Sequence, residues 1–328
     1  MGRSSSFEKI NYSLRPSKSI ERKMIIPFLY KLTNFDELTN YHYIGFGSIY
    51  YIDFILFHKN LNIRRMSSIE YERNESRAKF NLPYKCIELF SGTSNDKLVT
   101  IMSNDAKYIV WLDYDSPISD FTLDDIQTFI AKSTSGSLLM ITLNVNSDDK
   151  DELNSKFDEL FEYRKTKLEE KITIKSKIPQ INNFKELNLK NLHKVYRKII
   201  INEIEETLIK KNKLQINRYK FKQIMNFRYS DGVQMQTFSF LIYQESDEEK
   251  YNMCKFDDLL TFRDNDEPYE IKSPHLTIDE IRKLNKILPL DTDQDISSVG
   301  IENTSFINAA KEYAEVYQYF PNFSESLY

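Results

Sequence analysis

With 328 residues, 41% of them hydrophobic, the chain can fill one large core or two smaller ones, and its formal net charge of −4 excludes uniform electrostatic wrapping of nucleic acid. Two cysteines exclude a disulfide framework, and with four scattered histidines they make no CxxC or HxxxH set for a zinc site. No uncharged apolar run approaches the ~18 residues of a membrane span and the opening MGRSSSFEKINYSLRPSKS lacks an apolar signal core, so no membrane association is expected and the cytoplasm is the expected location.

Residues 1–40 read as a basic, helical N-terminal segment behind a loose, serine-rich start. Gly2 followed by Ser6 has the offset of an N-myristoylation signal, although a flexible basic terminus gives the same letters. A helix is predicted from Pro16, since proline suits the first helical turn. In LRPSKSIERKM, Lys18 and Arg22 are four apart on one face, and with Arg15 and Lys23 they would make a compact cationic patch. Such a patch suits a phosphate, a nucleic-acid backbone or a ligand carboxylate; helices also carry these residues for solubility alone.

From 41 to 146, short apolar runs alternate with helical stretches. YHYIGFG, IRRMSSIE, YKCIELF, YIVWLDYD and SLLMITLNV read as strands. Helices are expected over 48–60, 72–80, 95–101 and 122–132, the last opened by Thr122 and Asp125 as a variant capping box. Five β units at this cadence predict a Rossmann-like, doubly wound α/β domain with a mostly parallel sheet. Residues 147–220 turn charged and helix-rich, an insert whose charge runs read as solvated faces and which could serve as a lid, a dimer arm or a docking platform for a partner protein. In 221–328, FKQIMNFRYS and MQTFSFLIYQ flank Asp231-Gly232, a hairpin dipeptide, and would add an antiparallel edge to the sheet before the C-terminal helices. The segment LTIDEIRKLNKILP reads as a capped helix stopped by Pro289.

The GFG after the first strand has a physical reading. In this architecture Gly45 makes the sharp turn, Gly47 lets the backbone approach a cofactor, and Ser48 falls at a helix N-terminus. Glu70, at the tip of the second strand, is where ribose hydroxyls would be gripped. The third glycine of a dinucleotide fingerprint is replaced by Tyr50, and no P-loop motif exists, so the ligand expected is a nucleoside without a pyrophosphate.

The series YIGFGS, SIEYE, FSGTS and VWLDYDSP resembles the ordered motifs of class I S-adenosylmethionine-dependent methyltransferases. More narrowly, residues 12–146 are similar to a bacterial family labelled putative O-methyltransferases. The resemblance implies that Gly45, Gly47 and Ser48 face the methionine portion of the cofactor, Glu70 holds its ribose, and Gly92, Thr93 and Ser94 lie by its adenine. The chain departs from the superfamily in having Tyr43-Ile44 where many members have an acidic residue before the first glycine. It also has Thr93 where many have an aspartate.

Ligands of open α/β sheets sit beyond the carboxyl ends of the strands, where Asp113 and Asp115 end the fourth strand two residues apart and on one side if the strand persists. They could act as a catalytic base, orient an acceptor or bind a divalent metal; a simple strand-end turn would use the same letters. His58 and Cys86 read as packing residues, as do Trp111 and the aromatic series around Tyr43, Tyr51, Phe54 and Phe57. The expectation is a methyltransferase using S-adenosylmethionine, with Asp113 and Asp115 at the reaction and Arg15, Lys18 and Arg22 guiding an acceptor, a nucleic acid or nucleotide being favoured by that patch. Two alternatives are a non-catalytic Rossmann-like module sensing a nucleotide or partner protein, in the setting of a bacterial defence system, and a metal-dependent nucleotide-processing enzyme.

Overall fold

The computed structural model describes residues 15–103, 106–148, 157–291 and 294–321; the expected loose terminus, with Gly2 and Ser6, lies outside them. Helix α1 (Pro16–Lys31) precedes the alternating series β1 (Tyr41–Gly45), α2 (Ile52–Leu61), β2 (Arg65–Glu70), α3 (Glu75–Phe80), β3 (Ile87–Ser91), α4 (Ser94–Ile101), β4 (Lys107–Asp113), α5 (Asp120–Lys132) and β5 (Ser137–Asn144). Helices α6 (Phe157–Lys171) and α7 (Leu192–Asn212) lead to the hairpin β6 (Tyr219–Ser230) and β7 (Gln234–Gln244). The chain continues through α8 (Glu248–Cys254), β8 (Tyr269–Ile271), α9 (Ile278–Leu284), α10 (Gln294–Ser297) and α11 (Thr304–Val316).

The strands form one sheet in the order β3-β2-β1-β4-β5-β7-β6-β8. The first five are parallel, β7 is antiparallel to both β5 and β6, and β8 runs parallel to β6. The Rossmann-like, mostly parallel α/β fold with an antiparallel hairpin is therefore present. The hairpin, however, is not the edge: β8 is. A strand of three residues flanked by Pro268 and Pro274 leaves no alternating pattern to read.

Alternation along the strands feeds two cores. Tyr41, Tyr43, Ile109 and Trp111 face α1 and α2, while Ile44, Val110 and Leu112 face α4, α5 and α7. In α7, Val195, Ile199, Ile200, Ile204 and Leu208 form a buried stripe against α5 and the sheet, so this part of the charged 147–220 segment is a layer of the same sandwich. The C-terminal helices share a smaller core around Phe306 and Tyr313. No helix among the described residues is long and apolar enough to cross a membrane.

Helix α1 begins where expected, with Pro16 in its first turn. Its first free amides, those of Ser17 and Lys18, donate to the Asp231 carboxylate at 3.3 and 3.1 Å. The hairpin's Asp-Gly turn thus also caps a distant helix, satisfying donors that a helix start leaves open and setting a negative charge at its positive end.

Candidate functional site

The strand order reverses between β1 and β4, and a cavity of about 300 Å³ opens there beyond the carboxyl ends of the parallel strands. Four consecutive strand-to-helix connections wall it: Phe46 and Ser48 after β1, Glu70 and Tyr71 at the end of β2, Gly92 to Ser94 after β3, and Asp113 to Ser116 after β4. Seven of the residues singled out from sequence, Ser48, Glu70, Gly92, Thr93, Ser94, Asp113 and Asp115, come together here.

The first connection differs from expectation. The strand does not run straight into a helix; a turn intervenes, with Ser48 and Tyr51 both at φ of 48° and Tyr51 N–H donating to the Gly47 carbonyl at 2.9 Å. Ser48 therefore sits in the turn, four residues before Ile52 opens α2, and not at the helix N-terminus. Protein groups crowd both glycines. A Cβ on Gly45 would lie 2.6 Å from the Tyr43 hydroxyl; one on Gly47 would lie 2.4 Å from the Tyr51 ring and 2.5 Å from Ser68 Oγ. Beneath Gly45 the Tyr43 hydroxyl donates to Asp53, a buried carboxylate from α2 whose pKa is raised by burial.

Glu70 accepts hydrogen bonds through Oε1 from the Tyr71 amide at 3.0 Å and Asn74 Nδ2 at 2.9 Å, which fixes its carboxylate at the strand tip. Burial raises its pKa. Gly92 N–H donates to the Glu70 carbonyl at 2.9 Å, and its φ of +145° suits glycine alone. Thr93 caps α4: its hydroxyl accepts from the Asp96 amide at 3.4 Å and donates to Asp96 Oδ2 at 2.7 Å.

The basic residues depart furthest from expectation. Lys18 and Arg22 form no surface patch; they are buried and paired with one carboxylate. Lys18 Nζ lies 2.8 Å and Arg22 Nη2 3.1 Å from Asp113 Oδ2, with side chains only 8%, 4% and 11% exposed. The face they share on α1 is the one turned to the sheet. Arg15 stands at the helix N-cap and makes none of these contacts. Burial lowers the Lys18 pKa despite Asp113. For Arg22, burial is outweighed by Asp113, Asp53 and Glu21, which hold the guanidinium above its ordinary value. Arg22 also lies over the Trp111 ring at 5.1 Å, and Trp111 donates to Thr142 Oγ1 at 2.9 Å. Strand β4 ends at Asp113, so the expected same-side pairing does not form: Asp113 is tied to α1, whereas Asp115 is exposed in the connection beyond it. Among the described residues no group of three or more His, Cys, Asp and Glu side chains is placed to hold a metal ion.

Glu21, fully buried on the same helix, accepts a hydrogen bond from the Thr237 hydroxyl, and burial pushes its pKa up to about 7. Because the folded protein binds this proton more tightly than the unfolded chain, the stability that Glu21 contributes falls as pH rises from about 4.5 to about 7. Urea denaturation across this range, with Glu21→Gln as reference, should show wild type losing on the order of 3 kcal/mol relative to the variant. A pH-independent difference would mean that Glu21 stays charged in the fold.

Sequence reading takes Phe46 for a core residue and Arg73 for a surface one, and passes over Tyr71 and Tyr114; all four stand on the wall, each within three residues of a motif position. It also took Asp125 for part of a helix cap. The capping contact is Thr122 Oγ1 with the Ser119 amide at 3.4 Å, and Asp125 is buried against Tyr114. A second recess, of about 950 Å³, lies beside the start of α1 and the hairpin turn, bounded by Ser17, Asp231, Ile271, Leu276 and Phe320.

Comparison with known proteins adds the following. A protein-family model described as "Putative O-methyltransferase" matches residues 10–328. No curated protein matches the sequence. Among solved structures the chain is similar to LepI in complex with SAM, at 10% identity and TM-score 0.36, over 66% of this chain and 46% of that one. It is also similar to the O-methyltransferase TomG from Streptomyces achromogenes in complex with SAM (14% identity, TM-score 0.34, 66% and 79% of the two chains). A third similarity is to precorrin-6y C5,15-methyltransferase from Geobacter metallireducens (8%, TM-score 0.33, 66% and 86%). The chain spans less than half the length of LepI.

Proposed function

The chain belongs to the family described as "Putative O-methyltransferase", and from that premise we propose that it transfers the methyl group of S-adenosylmethionine to a hydroxyl of a small-molecule acceptor. The observation carrying this reading is the meeting of four strand-to-helix connections at one cavity over the switch point, with a carboxylate at the β2 tip. The residues present fit the cofactor. Glu70 offers a fixed carboxylate to a pair of ribose hydroxyls, and Phe46 and Tyr114, edge to face at 5.5 Å, offer aromatic surface to a flat base. When bound, the cofactor supplies an electrophilic methyl group on a sulfonium sulfur.

The protein's own part is positioning and proton uptake. Asp113, fixed by Lys18 and Arg22, keeps the β4 connection in place. Asp115, exposed on the cavity wall, is the group that would take the acceptor's hydroxyl proton. The burial of Lys18 and Arg22 removes the charge argument for a nucleic-acid acceptor.

Calorimetric titration with S-adenosylmethionine and S-adenosylhomocysteine tests the reading. Micromolar binding is expected, weakened by about 10- to 100-fold in Glu70→Ala, the loss of a charged hydrogen-bond acceptor. Absence of binding at millimolar ligand would sink it.

A further inference from the structure

Asp125 does not line the cavity, yet it ties three of its walls together. Fully buried on α5, it accepts hydrogen bonds from the Tyr114 hydroxyl at 2.5 Å and from Asn95 Nδ2 at 2.7 Å, and the Ser94 hydroxyl contributes a further contact. Tyr114 comes from the connection after β4, whereas Ser94 and Asn95 open α4 after β3. Asn95 Nδ2 also donates to the Phe121 carbonyl at 3.0 Å, which binds α4 to the start of α5. Through its ring, Tyr114 meets Phe46 from the β1 connection.

A carboxylate in such a place carries a cost. Burial pushes the Asp125 pKa up to about 6, against the Ser94 and Tyr114 hydroxyls and the Asn95 amide that favour its charged form. An apolar residue would pack there without that penalty. What the carboxylate uniquely provides is two acceptor oxygens aimed at donors on two different loops, each of which lines the cavity.

Resting on the reading that this cavity holds S-adenosylmethionine, we propose that Asp125 is a positioning residue for the cofactor's purine end, locking the Tyr114 ring and the first turn of α4 into a preformed slot beside Phe46. A slot fixed before binding spares the ligand the entropy of ordering the tyrosine and the loop. Asp125→Asn keeps the shape but turns one acceptor oxygen into a donor facing another donor.

The test measures S-adenosylhomocysteine binding by calorimetry together with thermal unfolding, for wild type, Asp125→Asn, Tyr114→Phe and the double variant. Each single variant is expected to weaken binding at least about 10-fold while unfolding within a few degrees of wild type, and the double variant should cost little more than the worse single one. Equal affinity in Asp125→Asn, or a lower unfolding temperature with unchanged affinity, overturns the proposal and reduces Asp125 to a structural anchor. Fully additive losses also overturn it, since the aspartate would then not act through Tyr114. Absence of binding in wild type is a different failure: the cofactor reading falls, and the proposal with it.

Discussion

Arg22→Ala is expected to lower the unfolding free energy by about 3–5 kcal/mol, the cost of removing one partner from a buried ion pair and leaving the other charge behind. Arg22 is 3% exposed and sits between the Asp113 carboxylate and the Trp111 ring. Its removal takes away a charge pair, a cation–π contact and the packing of a long side chain at once. Lys18 remains on Asp113 at 2.8 Å, so the carboxylate is not fully stranded, and the lower part of the range applies if Lys18 and water compensate. Urea denaturation of Arg22→Ala, Asp113→Asn and the double variant separates the pair from its surroundings. The double variant should be less destabilised than the sum of the singles, because Arg22→Ala removes one of the two cations that Asp113→Asn leaves without its carboxylate. A loss below about 1 kcal/mol would place the pair in the class of solvent-exchanging surface bridges and contradict the burial on which the reassignment of Lys18 and Arg22 rests.

That reassignment shows where sequence reading stops. The helix itself was legible: Pro16 marks its first turn, and the i, i+4 spacing of Lys18 and Arg22 correctly placed them on one face. Which way the face turns was not, because their partner Asp113 lies 95 and 91 residues away and no local pattern encodes it. Strands β1, β2, β4 and β5 were readable because their apolar runs outlast any turn signal, and the Asp231-Gly232 hairpin because its turn chemistry is local. The GFG turn was legible, but not the protein side chains that crowd its glycines. The side chains that crowd Gly47 are Tyr51, four residues on, and Ser68 from the next strand, and only the folded chain brings them to the same point. Asp125 is the clearest case: on a helix of ordinary amphipathic pattern it resembles a cap, and its two donors, 11 and 30 residues upstream, arrive through sheet topology.

For the same reason the two aspartates that looked equivalent in DYD should behave differently. Asp115→Asn is expected to lower kcat by about 10²- to 10⁴-fold, the usual worth of a general base, with cofactor affinity and unfolding free energy near wild type. Asp113 cannot fill that role in place: taking a proton there would break its contacts with both Lys18 and Arg22, in surroundings that cannot rehydrate them. Asp115 is placed differently: β4 ends two residues before it, and its side chain is exposed on the cavity wall. The measurement is formation of S-adenosylhomocysteine from S-adenosylmethionine over a panel of phenols and other hydroxylated small molecules, with each variant assayed on whichever acceptor wild type methylates. Asp113→Asn should lose stability and, with it, affinity for the cofactor. An unchanged kcat in Asp115→Asn would mean that the acceptor surrenders its proton to water, and that the aspartate after the strand serves only to shape the turn.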